Sequence, residues 1–335
     1  SPPIRHERAP QLGCAVDRSE ETSFRHEATV VRLTARVGGV RVMVIAMKLH
    51  LMDGTYELFR SHFGSPPRTS PSGQPVGGIY GIISSTLALL SEPGVTHLAA
   101  AFDTVIESFR NEVYPQYKTG EGIDQVLLDQ FPLAERAMDA LGVTVWSMIE
   151  FEADDALAAA AWRWVTDVDQ VVVLTPDKDL AQCYGNPKIV GYDRRNRAFI
   201  DSGGVMEKFG VRPVSIPDYL ALVGDAADGL PGLAGWGAKS SGTLLERYVH
   251  LESIPLDAAR WDVKVRSAEK LAATLRTHMG DALLYRFLAQ LRPDVPLNED
   301  LADLEWRGAH REPFHALCDE LGFDRLKDRP HKWAD

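Results

Sequence analysis

The sequence is poor in cysteine: Cys14, Cys183 and Cys318 are far apart and odd in number. That argues against a disulfide frame and a cysteine-based zinc site, and fits a reducing, cytoplasmic setting. No apolar run reaches the ~18 residues of a membrane span, so no membrane partner is expected. No internal repeat of useful length is present. A composition 45% hydrophobic and 25% charged belongs to a globular chain rather than a disordered one. Positive charge is scarce: 36 Lys and Arg stand against 47 Asp and Glu, a net charge of -11. Taken alone, that balance disfavours nucleic acid as a partner, because phosphate binding wants a basic surface. At 335 residues the chain holds one large or two modest domains.

Residues 1–41 carry seven arginines, several acids and little apolar periodicity. They lack the apolar core of a secretory signal, and their acids argue against a transit peptide, so they read as a disordered extension. Met43 or Met47 is a candidate natural start. From "VMVIAMKLHLMDG" onward, apolar runs of strand length at 42–52, 95–102 and 170–175 alternate with helix-like stretches at 79–91, 124–141 and 154–166. That alternation predicts a parallel sheet covered on both faces, within an α/β core over 42–202. The Pro-, Gly- and Ser-rich stretch 63–78 reads as loop. Two short β-like runs at 188–192 and 197–201 flank the turn "DRRN". From 203 to 335 the chain reads as mostly helical.

Acids gather where strands should end. "LHLMD" closes on Asp53, "HLAAAFD" on Asp103, and "VVVLTPDKD" on Asp177 and Asp179. A further β-like run, "VTVWSMI", leads into "FEADDALAAAAWRW", with Glu152, Asp154 and Asp155 at the mouth of an alanine helix. Asp225 and Asp228 follow in "ALVGDAADGLPG". Each alone has an ordinary explanation as a helix cap or a turn residue. In an open parallel sheet, however, ligands bind at the carboxyl ends of the strands, so these acids are expected to converge on one edge. Like charges that close repel, and no matched set of Lys or Arg is evident at these positions. Divalent metal is the simplest compensation. An all-oxygen ligand set selects Mg²⁺ or Mn²⁺, and a site this acidic has room for two ions, the arrangement that drives in-line displacement at phosphorus.

"GLPGLAGWGAKSSGTLL", 229–245, interrupts two helical stretches with Gly232, Gly235 and Gly237. Glycines let a backbone approach a phosphate closely, and free N–H groups at the next helix start bind it, with Lys239 adding charge. The plain alternative is a glycine-rich interhelical turn.

These stretches together carry a resemblance. "LMDGTYELFR", "AAAFDTVIESFRNEVYPQYK", "FEADDALA", "TPDKDLAQ" and "FGVRPVSIPDYLALVGDAADGLPGLAGWGAKS" span roughly 49–245. In that order the chain resembles the bacterial and phage 5′ nucleases: the 5′-to-3′ exonuclease domain of DNA polymerase I and its stand-alone flap-endonuclease relatives. No polymerase domain follows within these residues, so the free-standing form is expected. The resemblance implies a PIN-like parallel-sheet core flanked by helices, with a C-terminal helix-hairpin-helix region. It implies a structure-specific, divalent-metal-dependent 5′ nuclease, exonuclease and flap endonuclease, acting on DNA in replication and repair. Asp53, Asp103, Glu152 and Asp154 match the acids of one metal group. Asp155, Asp177, Asp179 and Asp228 match those around a second, with Asp225 close by. Arg60, Arg110 and Lys118 match basic residues near the scissile phosphate, and Tyr117 matches a position that stacks on a terminal base. The hairpin is expected to bind duplex backbone and to hold K⁺ through its carbonyls. The implied partners are 5′-flap, nicked or gapped duplex DNA, met by a monomer in a cytoplasmic, nucleoid-associated location.

Three departures stand out. Where the family's "YK" leads to an Arg in the arch, this chain has Glu121; the arch itself is expected over 119–127. In place of Ser-Asp-Asn it has Ala227, Asp228 and Gly229, which removes a hydroxyl and an amide from the second group. Residues 1–41 have no counterpart. A PIN-type ribonuclease and a non-catalytic DNA-binding scaffold are the rival readings; the glycine hairpin argues against the first and the full set of acids against the second.

Overall fold

The computed structural model describes residues 32–37 and 40–334. It opens with β1 (Arg32–Val37) and β2 (Val40–Ile45), an antiparallel pair forming a sheet of its own. The pair straddles the boundary expected at residue 41: Arg32–Val37 is strand where a disordered extension was expected, and 1–31 and 38–39 lie outside the described residues. The apolar run 42–52 is likewise two strands, since β2 is spent on β1 and β3 (Lys48–Asp53) enters the main sheet.

After β3 come α1 (Gly54–Gly64), α2 (Gly77–Leu90), β4 (His97–Asp103), α3 (Phe109–Val113), α4 (Gln125–Leu128), α5 (Phe131–Ala140), β5 (Thr144–Met148), α6 (Ala153–Trp164), β6 (Gln170–Leu174), β7 (Ile189–Asp193) and β8 (Ala198–Ile200). The helical stretch expected over 124–141 is broken at 129–130. Pro132 is the reason: it lacks an N–H and suits only the first turn of α5. The main sheet has the order β5–β4–β3–β6–β7–β8, parallel throughout except for β7 and β8.

Both faces of the sheet are covered, so its strands are apolar on successive residues instead of alternating with polar ones. Leu49, Leu51, Ala99, Ala101, Val171 and Val173 pack into one core with α6. Met52, Leu98, Ala100, Val172 and Leu174 pack into the other with α2 and α5. The alanines of α6 (Ala156, Ala158, Ala159, Ala160, Ala161) are all buried, and their small side chains let the helix lie close against the sheet. Trp146 and Trp164 stack at 6.3 Å and clamp its far end.

The chain leaves β3 toward β4 and β5 on one side, and returns to place β6 and β7 on the other. Such a divergence opens a crevice at the carboxyl ends of the strands. Asp53 and Asp103 are the last residues of β3 and β4, while Glu152 and Asp177 follow β5 and β6.

The remainder is helical: α7 (Ser202–Phe209), α8 (Ile216–Val223), α9 (Ala238–Tyr248), α10 (Ala268–Thr277), α11 (Met279–Ala289) and α12 (Arg311–Leu321). α8 and α9 are the two helices of the expected hairpin. Between them Asp225 and Leu230 exchange backbone hydrogen bonds at 2.7 and 2.8 Å, and Leu233 N–H returns to the Leu222 carbonyl at 2.9 Å. Gly232 closes this turn with φ +67°, and a Cβ there would lie 2.5 Å from the Gly224 nitrogen. Gly237, at the α9 N-cap, has extended backbone and open space around it. A left-handed backbone costs an L-residue roughly 1–2 kcal/mol before any clash. Gly232→Ala is therefore expected to lower the thermal midpoint by at least about 2 °C, and Gly237→Ala to leave it within about 1 °C, when the two are compared by calorimetry.

Candidate active site

The sheet edge gathers acids from four strand ends. Asp53 caps α1: one oxygen accepts the Tyr56 N–H at 2.8 Å, the other the Thr175 hydroxyl at 2.9 Å. Asp103 accepts the Ala153 N–H at 2.8 Å, which fixes the start of α6 to the end of β4. Its own N–H donates to the Thr55 hydroxyl at 2.8 Å, tying β4 to α1. Asp177 accepts the Asp179 N–H at 2.8 Å. Asp154 accepts no hydrogen bond from the described residues and stands half-buried at the mouth of α6. Burial, then the neighbouring Asp103 and Asp177, pushes the Asp53 carboxyl up to about 7 against its hydrogen bonds. Burial, followed by Asp177 and Asp53, holds Asp154 well above the ordinary carboxylate range. Asp53, Asp103, Asp154 and Asp177 thus lie within one another's field.

A second group adjoins them. Asp179, Asp225 and Asp228 present carboxylate oxygens that all lie within 4.8 Å of one another. Asp179 Oδ1 is buried without a donor, and burial, then Asp177 and Asp228, raises this carboxyl well above its usual range. Burial and Asp225 push Asp228 up to about 7. A buried, donorless oxygen within a trio of carboxylates fits a cation, and the all-oxygen donor set fits a hard divalent one. Gly229 has φ +70°, and a Cβ on it would lie 2.4 Å from the Gln116 carbonyl oxygen. The Asp228 carbonyl meanwhile accepts the Lys118 N–H at 3.0 Å. The glycine at this departure thus lets the loop carrying Asp228 seat on 116–118.

Lys118 reaches the acids. Its ammonium lies 3.4 Å from Asp103 and 3.5 Å from Glu152. Burial opposes its charge, but Asp103 and Glu152 outweigh that and raise its proton affinity.

Four expected residues stand elsewhere. Arg110 does not face a phosphate: its side chain is 1% exposed, and its guanidinium donates to Glu152 and Asp155 and to the Leu288 and Gln290 carbonyls at 2.6–3.0 Å. Asp155 is not brought to the metal edge. It receives that guanidinium on both oxygens, together with the Glu152 N–H at 3.1 Å and the Arg292 N–H at 3.0 Å, which leaves it little capacity for a metal. Tyr117 is 3% exposed inside the core and offers no face to a terminal base. Arg60 pairs with the buried Glu57, which also accepts from Arg194 at 3.1 Å, and makes no contact with the acid edge. Glu152 serves both sides, accepting Ser108 Oγ and Arg110 on one oxygen at 2.8 Å and facing Lys118 with the other.

Three contributors escape sequence reasoning. Thr175 and Ser108 hydroxyls orient Asp53 and Glu152, and the Lys178 ammonium pairs with Asp225. The absence of matching cations is therefore overstated, since Lys118, Lys178 and Arg110 all reach the acids; nine carboxylates still face these three. Lys178 stands in "TPDKD", between two of the acids for which that run is quoted.

On the hairpin, Gly235 and Gly237 line a cavity of about 660 Å³ with Lys239, and Lys264 and Arg266 form its other wall. Gly232 instead packs inward on Val223 and Gly224. The segment expected to form an arch runs from Lys118 as loop to α4, with the Gly120 N–H held by Glu107 at 3.1 Å.

Comparison with known proteins agrees with this layout. Residues 48–210 match the family model described as 5'-3' exonuclease, N-terminal resolvase-like domain, and 211–312 match 5'-3' exonuclease, C-terminal SAM fold. DNA polymerase I of Mycobacterium leprae is 33% identical over 287 residues, 84% of this chain and 31% of that protein. The chain thus spans about a third of the length of the curated relatives it matches. Among solved structures, T5 5'-exonuclease with bound zinc superposes with a TM-score of 0.57 at 19% identity, covering 73% of this chain and 90% of that one. The catalytic core of Rad2 in complex with DNA substrate gives 0.56 at 16% identity, covering 84% and 90%. At these identities the structures show the shared fold.

Two outcomes follow from the geometry. Arg110→Met strands Asp155 without its cation in the interior, a loss of about 3–5 kcal/mol. Its thermal midpoint is expected to fall well below that of Lys118→Met, whose parent side chain is 26% exposed. The raised carboxyls give the second. Asp53 and Asp228 titrate near 7 in the folded chain and near their ordinary values when unfolded. The folded state therefore holds protons that the unfolded state releases, and stability from these groups falls as pH rises from about 4 to 7. A divalent ion offsets that loss, so the rise in midpoint on adding Mn²⁺ is expected to be larger at pH 8 than at pH 5; an equal rise would place the ion elsewhere.

Proposed function

The chain belongs to the 5′-3′ exonuclease family, and from that premise we propose that it is a structure-specific, divalent-metal-dependent 5′ nuclease that hydrolyses DNA phosphodiesters. The observation that carries this reading is the meeting of two acid groups on one sheet edge, with a cationic glycine hairpin in the same fold. The proposed substrates are 5′-flap, nicked or gapped duplex DNA, and the chain is proposed to act as a monomer in replication and repair. The proposed ions are Mg²⁺ or Mn²⁺, with K⁺ at the hairpin carbonyls.

The proposed ligands of one ion, directly or through water, are Asp53, Asp103, Glu152, Asp154 and Asp177, the last moved here from the second group that the resemblance implies; Asp179, Asp225 and Asp228, whose ligand oxygens lie within 4.8 Å of one another, are those proposed for a second. When bound, such ions would activate water as the nucleophile and supply Lewis-acid stabilisation of the leaving group. The chain's own residues do the rest. Thr175 and the Tyr56 N–H fix the rotamer of Asp53, and Ala153 N–H fixes that of Asp103. Lys118 is the one cation of the expected catalytic three that faces the acid edge, and its ammonium is placed to meet charge developing on the phosphoryl oxygens. Arg110 acts through Glu152 and Asp155, as a positioning residue. The Rad2 core was solved with DNA substrate, which supports DNA as the ligand of this fold. Duplex backbone is assigned to the cavity between Lys239 and Lys264, where cations offset a chain that is acidic overall.

Among the described residues Asp154 makes no hydrogen bond that an amide would break, so Asp154→Asn separates ligand charge from structure. It is expected to abolish cleavage of a 5′-flap substrate while DNA affinity holds or rises; activity within about tenfold of wild type, under ~1.4 kcal/mol, would remove Asp154 from the ligand set. Lys118→Ala is expected to lower turnover by roughly 10²–10³ with little change in KM. A rise in KM alone would mean that the lysine only positions substrate.

A further inference from the structure

The trio Asp179, Asp225 and Asp228 already has a cation of the chain's own. Lys178 pairs through its ammonium with Asp225 Oδ2, while Asp225 Oδ1 accepts the Ala227 N–H at 3.1 Å. One oxygen of Asp225 is thus ion-paired and the other hydrogen-bonded within the chain, although Asp225 supplies one of the three ligand atoms that converge within 4.8 Å. The two partners differ in freedom: the Asp225 side chain is 5% exposed and that of Lys178 31% exposed. Asp225 is also pinned by its backbone exchange with Leu230, whereas lysine hangs on a flexible four-carbon stem. An ammonium and a divalent ion at the same carboxylate repel, so the mobile one must yield. It has a place to go: Lys178 lines a cavity of about 530 Å³ that is bounded also by Asp193, Asn196 and Glu207.

We propose that Lys178 is a tethered counter-ion of the trio, holding Asp225 until a divalent ion arrives and then giving way to it, so that its charge sets how tightly the trio binds metal. This rests on the reading of the trio as an ion site. The ammonium offsets part of the mutual repulsion of three carboxylates, at the expense of competing with the metal they are built to hold.

The test measures binding, without turnover. Mn²⁺ is titrated into the full chain, with free Mn²⁺ followed by electron paramagnetic resonance, for wild type, Lys178→Met and Lys178→Arg. Met keeps the length of the stem and removes the charge; it is expected to tighten the weaker site at least about tenfold. Arg keeps the charge and is expected to stay near wild type. A companion measurement needs no variant: acetylation of Lys178 by acetic anhydride, read by mass spectrometry, should rise several-fold when Ca²⁺ is added, while Lys239 serves as the unchanged reference. If Lys178→Met binds Mn²⁺ no more tightly, or Lys178 labelling ignores Ca²⁺ while metal still binds, the counter-ion role is overturned and the nuclease reading stands. If Lys178→Met fails to fold, the labelling of wild type decides. If no Mn²⁺ binds to wild type at all, the ion site itself is overturned, and this role with it.

Discussion

Carboxylates held side by side repel one another, and most of this molecule is arranged around tolerating that repulsion. Asp53 and Asp228 hold their protons up to about 7, and burial among other acids raises Asp154 and Asp179 well above the ordinary carboxylate range too. A fold that accepts such strain gains nothing from it in the resting chain. The strain has a use once cations are present, when the same density of oxygen becomes affinity.

The scaffold keeps the acids from spreading apart. Parallel strands bring Asp53 and Asp103 to one edge, and backbone N–H groups of Tyr56 and Ala153 fix their rotamers. Beneath them Arg110 directs its guanidinium to Glu152, Asp155 and two carbonyls at the C-terminal end of α11, so one buried side chain joins α3, the mouth of α6 and the C-terminal helices. Lys118 and Lys178 then cap the cluster from the solvent side, each more exposed than the acids it faces. Positioning is buried and charge compensation is accessible, which suits a site that must exchange its counter-ions for metal and phosphate.

Much of this was legible in the sequence because it depends on strand ends. An aspartate closing an apolar run declares its place on the sheet edge, and "LHLMD" and "HLAAAFD" do so for Asp53 and Asp103. Direction within a helix turn was not legible. Asp154 and Asp155 are neighbours in "FEADDALA", yet successive helical residues point about 100° apart. One faces the acid edge and the other faces Arg110 and the Arg292 N–H, a partner 137 residues away. Arg110 and Tyr117 failed for the same cause: their sequence neighbourhood matches the family, but their burial is decided by residues 288–292 and by the core. The split of 42–52 into β2 and β3 was hidden because both pieces are equally apolar.

The central claim is that the acid edge is a pair of ion sites built by two different groups of carboxylates. Anomalous diffraction from crystals of the full chain soaked in Mn²⁺ near pH 7.5 tests it most directly. The account predicts two peaks, one among Asp53, Asp103, Glu152, Asp154 and Asp177 and one among Asp179, Asp225 and Asp228, with directly ligating oxygens at roughly 2.0–2.6 Å. An empty edge, or Mn²⁺ bound only at other carboxylates, would contradict it.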